Sequence, residues 1–231
     1  MAELKQVEKE NLSMRIYRQI RSALIDGQYE PGERLRIATL AAELGTSITP
    51  VREAIFRLVS EQALEMRAAT AVIVPALNAA KLREVQQVRL LLEGAAAEHA
   101  AQIITPDQLA HMERLQDAFI EAVEANDPRL AAVRNRDFHF GIVTIAAKPT
   151  IEAIVENMWV QMGPVLNMFH SRMPRRQVST KRHPHYDVLA AFRRKDPEAA
   201  REALQQDIRW SNVWIDAIEQ DQLSGPQPAQ V

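Results

Sequence analysis

Between Glu33 and Val74 the chain carries a pattern that few folds accommodate: two short helical stretches divided by a glycine, followed at once by two strand-like stretches. Leu40, Ala41 and Leu44 recur at helical spacing and predict a short helix with one buried stripe. Gly45 supplies a sharp turn that lets the next helix cross it. In that next helix Val51, Ile55, Leu58 and Val59 point inward, Pro50 suits the opening turn, and Thr49 or Ser47 is the candidate cap. Leu64 to Met66 and Val72 to Val74, joined through Arg67 to Ala71, predict a two-stranded hairpin. Upstream, Met14, Ile16, Tyr17, Ile20, Ala23 and Leu24 predict a helix from Ser13 to about Asp26. Helix, helix, turn, helix and hairpin make a winged helix-turn-helix.

Charge does not by itself mark this segment for nucleic acid. Residues 1–75 carry ten Lys+Arg and ten Asp+Glu, so they are formally neutral. Non-specific affinity follows the number of phosphates contacted, so each head should bind DNA modestly and a dimer is needed for useful occupancy. The chain has 231 residues and no cysteine, which excludes disulfides, thiolate metal sites and cysteine nucleophiles and fits a reducing compartment. No apolar signal core or membrane-length apolar run is present, so a soluble, cytoplasmic protein is expected.

The segment resembles the heads of the GntR family of bacterial transcription factors. The resemblance rests on Pro31-Gly32, Leu35, Leu40-Ala41, Leu44-Gly45, Ser47, Thr49-Pro50-Val51-Arg52, Ala54-Ile55 and Leu58. It implies DNA contact by Arg36, Thr46, Ser47, Ile48, Thr49 and Arg52. For Arg52 the plain alternative is a surface pair with Glu53 or Glu43, and for the threonines and serine it is helix capping. Three departures fall on the reading surface: Ile48 where the family usually has Arg, Ile37-Ala38 where an acidic-basic pair is common, and Ala71 in place of the wing glycine. An isoleucine there suits a thymine methyl rather than a guanine edge.

Beyond Pro75 the pattern becomes helical throughout. Caps and prolines at Asn78, Thr105-Pro106, Asp127-Pro128, Pro149 and Asp196-Pro197 divide it into about six helices, the last opening at Asp196, with a kink expected at Pro164. The expected class is mainly α: a winged helix-turn-helix over 1–75, an all-α antiparallel helical bundle over 76–222, and a disordered tail over 223–231.

This second part resembles the FCD effector domain of the FadR-type subgroup. The resemblance is carried by Val88-Arg89 to Glu93, Asp137-Phe138-His139, and His185 to Phe192 followed by Asp196 to Ala200. It implies a divalent transition metal, Zn, Ni or Mn, held by Asn135, His139, His185 and Asp207. It also implies a small organic acid bound near Arg89, Asn135, His139 and His185. Asn135 and Asp207 depart from the commonest ligand types. The spacing is compatible with the set: Asn135 and His139 are four apart, and His185 and Asp207 each lie eleven residues from Asp196, so antiparallel helices bring them level. His183 is a close rival to His185, Arg89 has Glu93 as an ordinary intrahelical partner, and the basic stretch from Arg172 to Arg182 reads as an inter-helix loop.

The expected function is a ligand-responsive regulator that binds double-stranded operator DNA as a homodimer, with no membrane partner. The competing expectations are a metal-dependent enzyme acting on a small carboxylate, which lacks any catalytic motif here, and a scaffold whose head no longer reads specific DNA.

Overall fold

The computed structural model describes residues 12–68, 71–76, 78–172 and 183–224. The head holds three helices, α1 (Leu12–Ile25), α2 (Ile37–Glu43) and α3 (Ile48–Ser60), and three strands, β1 (Arg34–Leu35), β2 (Glu65–Ala68) and β3 (Ala71–Ile73). Ile16, Ile20 and Leu24 from α1, Leu40 and Ala41 from α2, and Val51, Ile55 and Leu58 from α3 close on Leu35, Leu64 and Val72 in one apolar core. Helical and strand spacing each put one apolar stripe on the inside, so the elements bury one another's faces. Gly45 has φ +61°, the left-handed conformation the turn requires.

The wing differs from the expected hairpin. It is a three-stranded antiparallel sheet in the order β1-β3-β2, with Leu35 and Met66 both opposite Val72. The added strand is only two residues long, too short to show alternation. It is set beside β3 by two bonds, from the Gly32 N–H to the Val74 carbonyl and from the Val74 N–H to the Glu33 carbonyl. Part of the anticipated wing tip, residues 69 and 70, lies outside the described residues.

The body is built from α4 (Ala79–Ile103), α5 (Pro106–Glu124), α6 (Pro128–Ala146), α7 (Pro149–Arg172), α8 (Pro184–Arg194), α9 (Pro197–Arg209) and α10 (Asn212–Ser224). Their starts follow local chemistry. Asn78, Asp127 and Asp196 accept the N–H of Lys81, Leu130 and Ala199, and Thr105 with Gln108 forms a reciprocal capping box. Seven helices, rather than about six, are present among the described residues. The helix opening at Asp196 is not the last, because α9 ends where Trp210 and Ser211 donate to the carbonyls of Asp207 and Ile208, tightening the chain before α10. Gln86 on α4 holds that break through the Ser211 hydroxyl at 2.8 Å, a tertiary contact with no local signal. Helix α10 also carries the ordered chain to Ser224, two residues into the expected tail; residues 225–231 and the basic stretch 173–182 are outside the described residues. Helix α7 runs through Pro164 without ending.

Central α4 packs against α6, α7, α8, α9 and α10, which explains why it lacks a single polar face. Trp159, Phe138, Phe192, Ile142 and Leu204 fill the space between these helices. Among the described residues no helix is long and apolar enough to cross a membrane.

Candidate functional site

The candidate residues gather at two places, one at the tip of α3 and one inside the bundle. Ser47 is the N-cap residue of α3 by backbone conformation, yet its side chain makes no capping bond; Thr49 lies inside the helix and cannot be the cap. Ile48 is the first helical residue and is 45% exposed. Arg52 stands one turn later, and Ser47, Thr49, Arg52 and Arg36 are all exposed, with Thr46 half-buried. Among the described residues neither Arg52 nor Arg36 has an ion-pair partner, so the pairing of Arg52 with Glu53 or Glu43 does not occur. Backbone N–H groups at the α3 start, uncommitted hydroxyls and an unneutralised guanidinium share one face, the chemistry a phosphate backbone and a base edge require.

The buried site is assembled from α4, α5, α6, α8 and α9. One nitrogen each of His139 and His185 and one oxygen of Asp207 lie within 4.8 Å of one another. His139 Nε2 is 3.0 Å from Asp207 Oδ2, and His185 Nε2 is 3.7 Å from the same oxygen. The antiparallel turn at Asp196 thus brings α8 and α9 level at these positions. Asn135 stands one turn before His139 on α6, half-buried, and takes no part in the hydrogen bonds that tie this cluster together. His183 caps α8, and its Nε2 is 3.8 Å from Asp207 Oδ1, so it borders the cluster as well.

A buried polar shell fixes both imidazoles. His139 Nδ1 is 2.7 Å from Glu93 Oε2, and Glu93 also accepts from Arg89 at 3.1 Å and from the Trp159 indole N–H at 3.2 Å. Burial works against the Glu93 carboxylate, but Arg89 and His139 outweigh it and hold its pKa at about 2. Burial also disfavours charge on His139, yet Glu93 and Asp207 outweigh it and raise its pKa above the ordinary histidine value. Asp207, despite burial, is held well below the ordinary carboxyl range by His185 and His139.

His185 behaves in the opposite sense. Burial lowers its pKa, with Asp207 only partly opposing. Its Nδ1 is 2.7 Å from Gln116 Oε1, and the ring stacks on Phe138 with ring centroids 3.8 Å apart. Its Nε2 is buried without a hydrogen-bond partner.

Arg89, one of the residues the resemblance places on an effector, is 5% exposed, paired with Glu93, and lies with its guanidinium 4.3 Å from the Trp159 ring centroid. That is the intrahelical alternative, and it orders the shell rather than presenting a free cation. Gln116 and Trp159 escaped the sequence reading as site residues. Gln116 left one clue: it is a polar residue within the apolar stripe Met112, Phe119 and Ala122 of α5.

The comparisons with known proteins agree with this division. The profile of the bacterial regulatory proteins of the gntR family matches residues 12–74, and that of the FCD domain matches residues 84–209. The chain is 33% identical over 205 residues to the HTH-type transcriptional regulator McbR of Escherichia coli K12, covering 89% of this chain and 92% of that protein. It is 30% identical over 188 residues to a probable D-xylose utilization operon transcriptional repressor of Paenarthrobacter nicotinovorans, covering 80% of each. Among solved structures it superimposes on E. coli McbR/YncC with a TM-score of 0.83 at 31% identity, over 90% of this chain and 99% of that one. A putative GntR regulator of Rhodococcus sp. RHA1 shares the fold, with a TM-score of 0.74 at 20% identity over 89% and 97% of the two chains. A winged helix-turn-helix joined to an FCD bundle, throughout a chain whose relatives are named as transcriptional regulators, makes this protein a ligand-responsive DNA-binding regulator of the GntR family and not an enzyme.

Proposed function

We propose that the protein binds a palindromic operator in the cytoplasm as a homodimer, one head per half-site, and that a small organic acid in the bundle alters its grip on DNA through a bound divalent metal. The observation that carries the metal is His185 Nε2: a buried nitrogen without a hydrogen-bond partner, 3.7 Å from Asp207 Oδ2, on a ring whose Nδ1 faces Gln116 Oε1. Glu93 on the far side of His139 completes a carboxylate–histidine arrangement typical of metal ligands. The donor set of His139, His185 and Asp207, with Asn135 one turn away, fits Zn, Ni or Mn. A bound ion would supply a Lewis-acid position open to a carboxylate.

The chain's own groups do the remaining work. Arg89 balances Glu93, so the shell around His139 stays neutral as a pair. Phe138 and Phe119 pack against the His185 imidazole. At the head, the lone Arg52 and the uncapped start of α3 support DNA reading over a scaffold role. The test is twofold. Protein prepared without chelator or affinity metal should hold about one ion per chain by elemental analysis, and His139→Ala and His185→Ala should hold far less; equal metal in all three sinks the metal. Selection from random duplexes should return an inverted repeat; a pool that stays random sinks the operator.

A further inference from the structure

Helix α7 belongs to both halves of the molecule. Trp159 is 2% exposed and lies in the core of the body, with its indole N–H on Glu93 and its ring centroid 5.4 Å from that of His139. The next residue, Val160, is fully buried and belongs to the core of the head, among Leu24, Ile55 and Leu58. One turn on, Gly163 lies against the end of α1 so closely that a Cβ there would fall 2.3 Å from the Leu24 carbonyl oxygen and 2.8 Å from Ile25 Cα. Polar ties cross the same seam: Glu156 to Arg21 at 3.1 Å, the Gln161 amide to the Glu61 carbonyl at the end of α3, and Arg136 of α6 to Asp26. Arg136 is itself three residues from His139. Between these ties a cleft of about 960 Å³ opens, bordered by Tyr17, Arg57, Arg136 and Glu156, so the seam is fastened at points rather than packed throughout.

We infer that α7, with Arg136 as a second tie, is the element through which the state of the His139–His185–Asp207 site sets the position of the DNA-reading head. This rests on the proposal that the site takes a metal. The candidate ligand atoms all lie within 4.8 Å of one another, near enough for one ion to bond all three at about 2 Å each once their side chains adjust. An ion there would tie His139, His185 and Asp207 together, and His139 is in contact with Glu93 and Trp159, so a change at the site bears on α7. Trp159 cannot shift without Val160, because they are consecutive residues of one helix. Close-packed interiors pass on such shifts because they have no slack to absorb them. On the head side, Val160 and Gly163 bear on α1, which packs on α3, the helix that carries Ile48 and Arg52.

The experiment titrates Zn²⁺ into metal-free full-length protein and follows its binding calorimetrically and its effect on affinity for a duplex selected by the wild type. Wild type, Gly163→Ala and Arg136→Gln are compared, with Val160→Ala replacing either variant that fails to fold. Zn²⁺ should shift wild-type DNA affinity roughly fivefold or more, the usual lower range of coupling between sites. The variants should bind Zn²⁺ with unchanged stoichiometry and shift less than about half as much on a logarithmic scale. Equal shifts in wild type and variants overturn α7 and Arg136 as the connection. Zn²⁺ binding with no shift in the wild type overturns coupling from this site altogether, while leaving the metal proposal intact. Absence of Zn²⁺ binding in the wild type overturns the metal proposal, and this inference falls with it.

Discussion

Ile48 and His185 are the two side chains on which the proposed DNA reading and metal binding most depend. Ile48 opens the recognition helix, outward and 45% exposed, where a cation would read guanine. On the proposed reading, an apolar side chain there would meet the C5-methyl of thymine. Replacing the contacted thymines of a selected site by uracil should therefore weaken binding several-fold, and Ile48→Arg should move the preference at that position toward guanine, at about 1–3 kcal/mol per good pair. Unchanged binding to the uracil duplex would remove Ile48 from the reading surface. For the buried site, Gln116→Leu should lower metal affinity about 10- to 100-fold, because it frees the ring that Gln116 now orients. Metal affinity should also depend on pH through His139. Its pKa is raised, so at low pH a proton occupies the Nε2 that faces Asp207, and affinity should climb as pH rises through that value and then level. Calorimetry in buffers of different ionisation enthalpy should find about one proton released per ion at the acid end and none on the plateau; a pH-independent affinity would contradict the assignment.

At the scale of elements, the starts of α4, α5, α6 and α9 are governed by local caps, whereas the break after α9 is held by a distant contact. Thr105, with Gln108 reaching back to it, opens α5 by a reciprocal pair of bonds. Thr105→Ala should cost about 1 kcal/mol in urea denaturation with an unchanged slope against denaturant; a cost near zero would mean that tertiary packing alone holds the turn. The same local chemistry made Asn78, Asp127 and Asp196 readable from the chain. The break between α9 and α10 was not readable, because neither glycine nor proline marks residues 209–212 and the holding contact comes from Gln86, far away in sequence. The strand β1 stayed hidden for a similar reason: two residues carry no period, and their pairing is decided by Val74.

For the whole molecule, head and body are tied through α7 and through Arg136. Light scattering should give a mass near twice 26.1 kDa, as a two-fold operator requires. Arg52→Ala should weaken DNA binding and lower the salt dependence by about one unit of slope if Arg52 meets a phosphate; an unchanged slope with altered base preference would assign it to a base. The winged head, the helical body and the nearness of His185 to Asp207 were legible beforehand because they rest on periodicity, caps and symmetric spacing about one turn, all properties of the chain read locally. Gln116 against His185, Trp159 against Glu93, and Val160 in the core of the head were not. Each joins residues far apart in sequence whose types are unremarkable, and only packing decides which buried nitrogen is left without a hydrogen-bond partner and which helix serves two cores. Local chemistry therefore named the parts of this regulator, whereas the close approach of distant helices decides which side chains meet at the buried cluster and along α7.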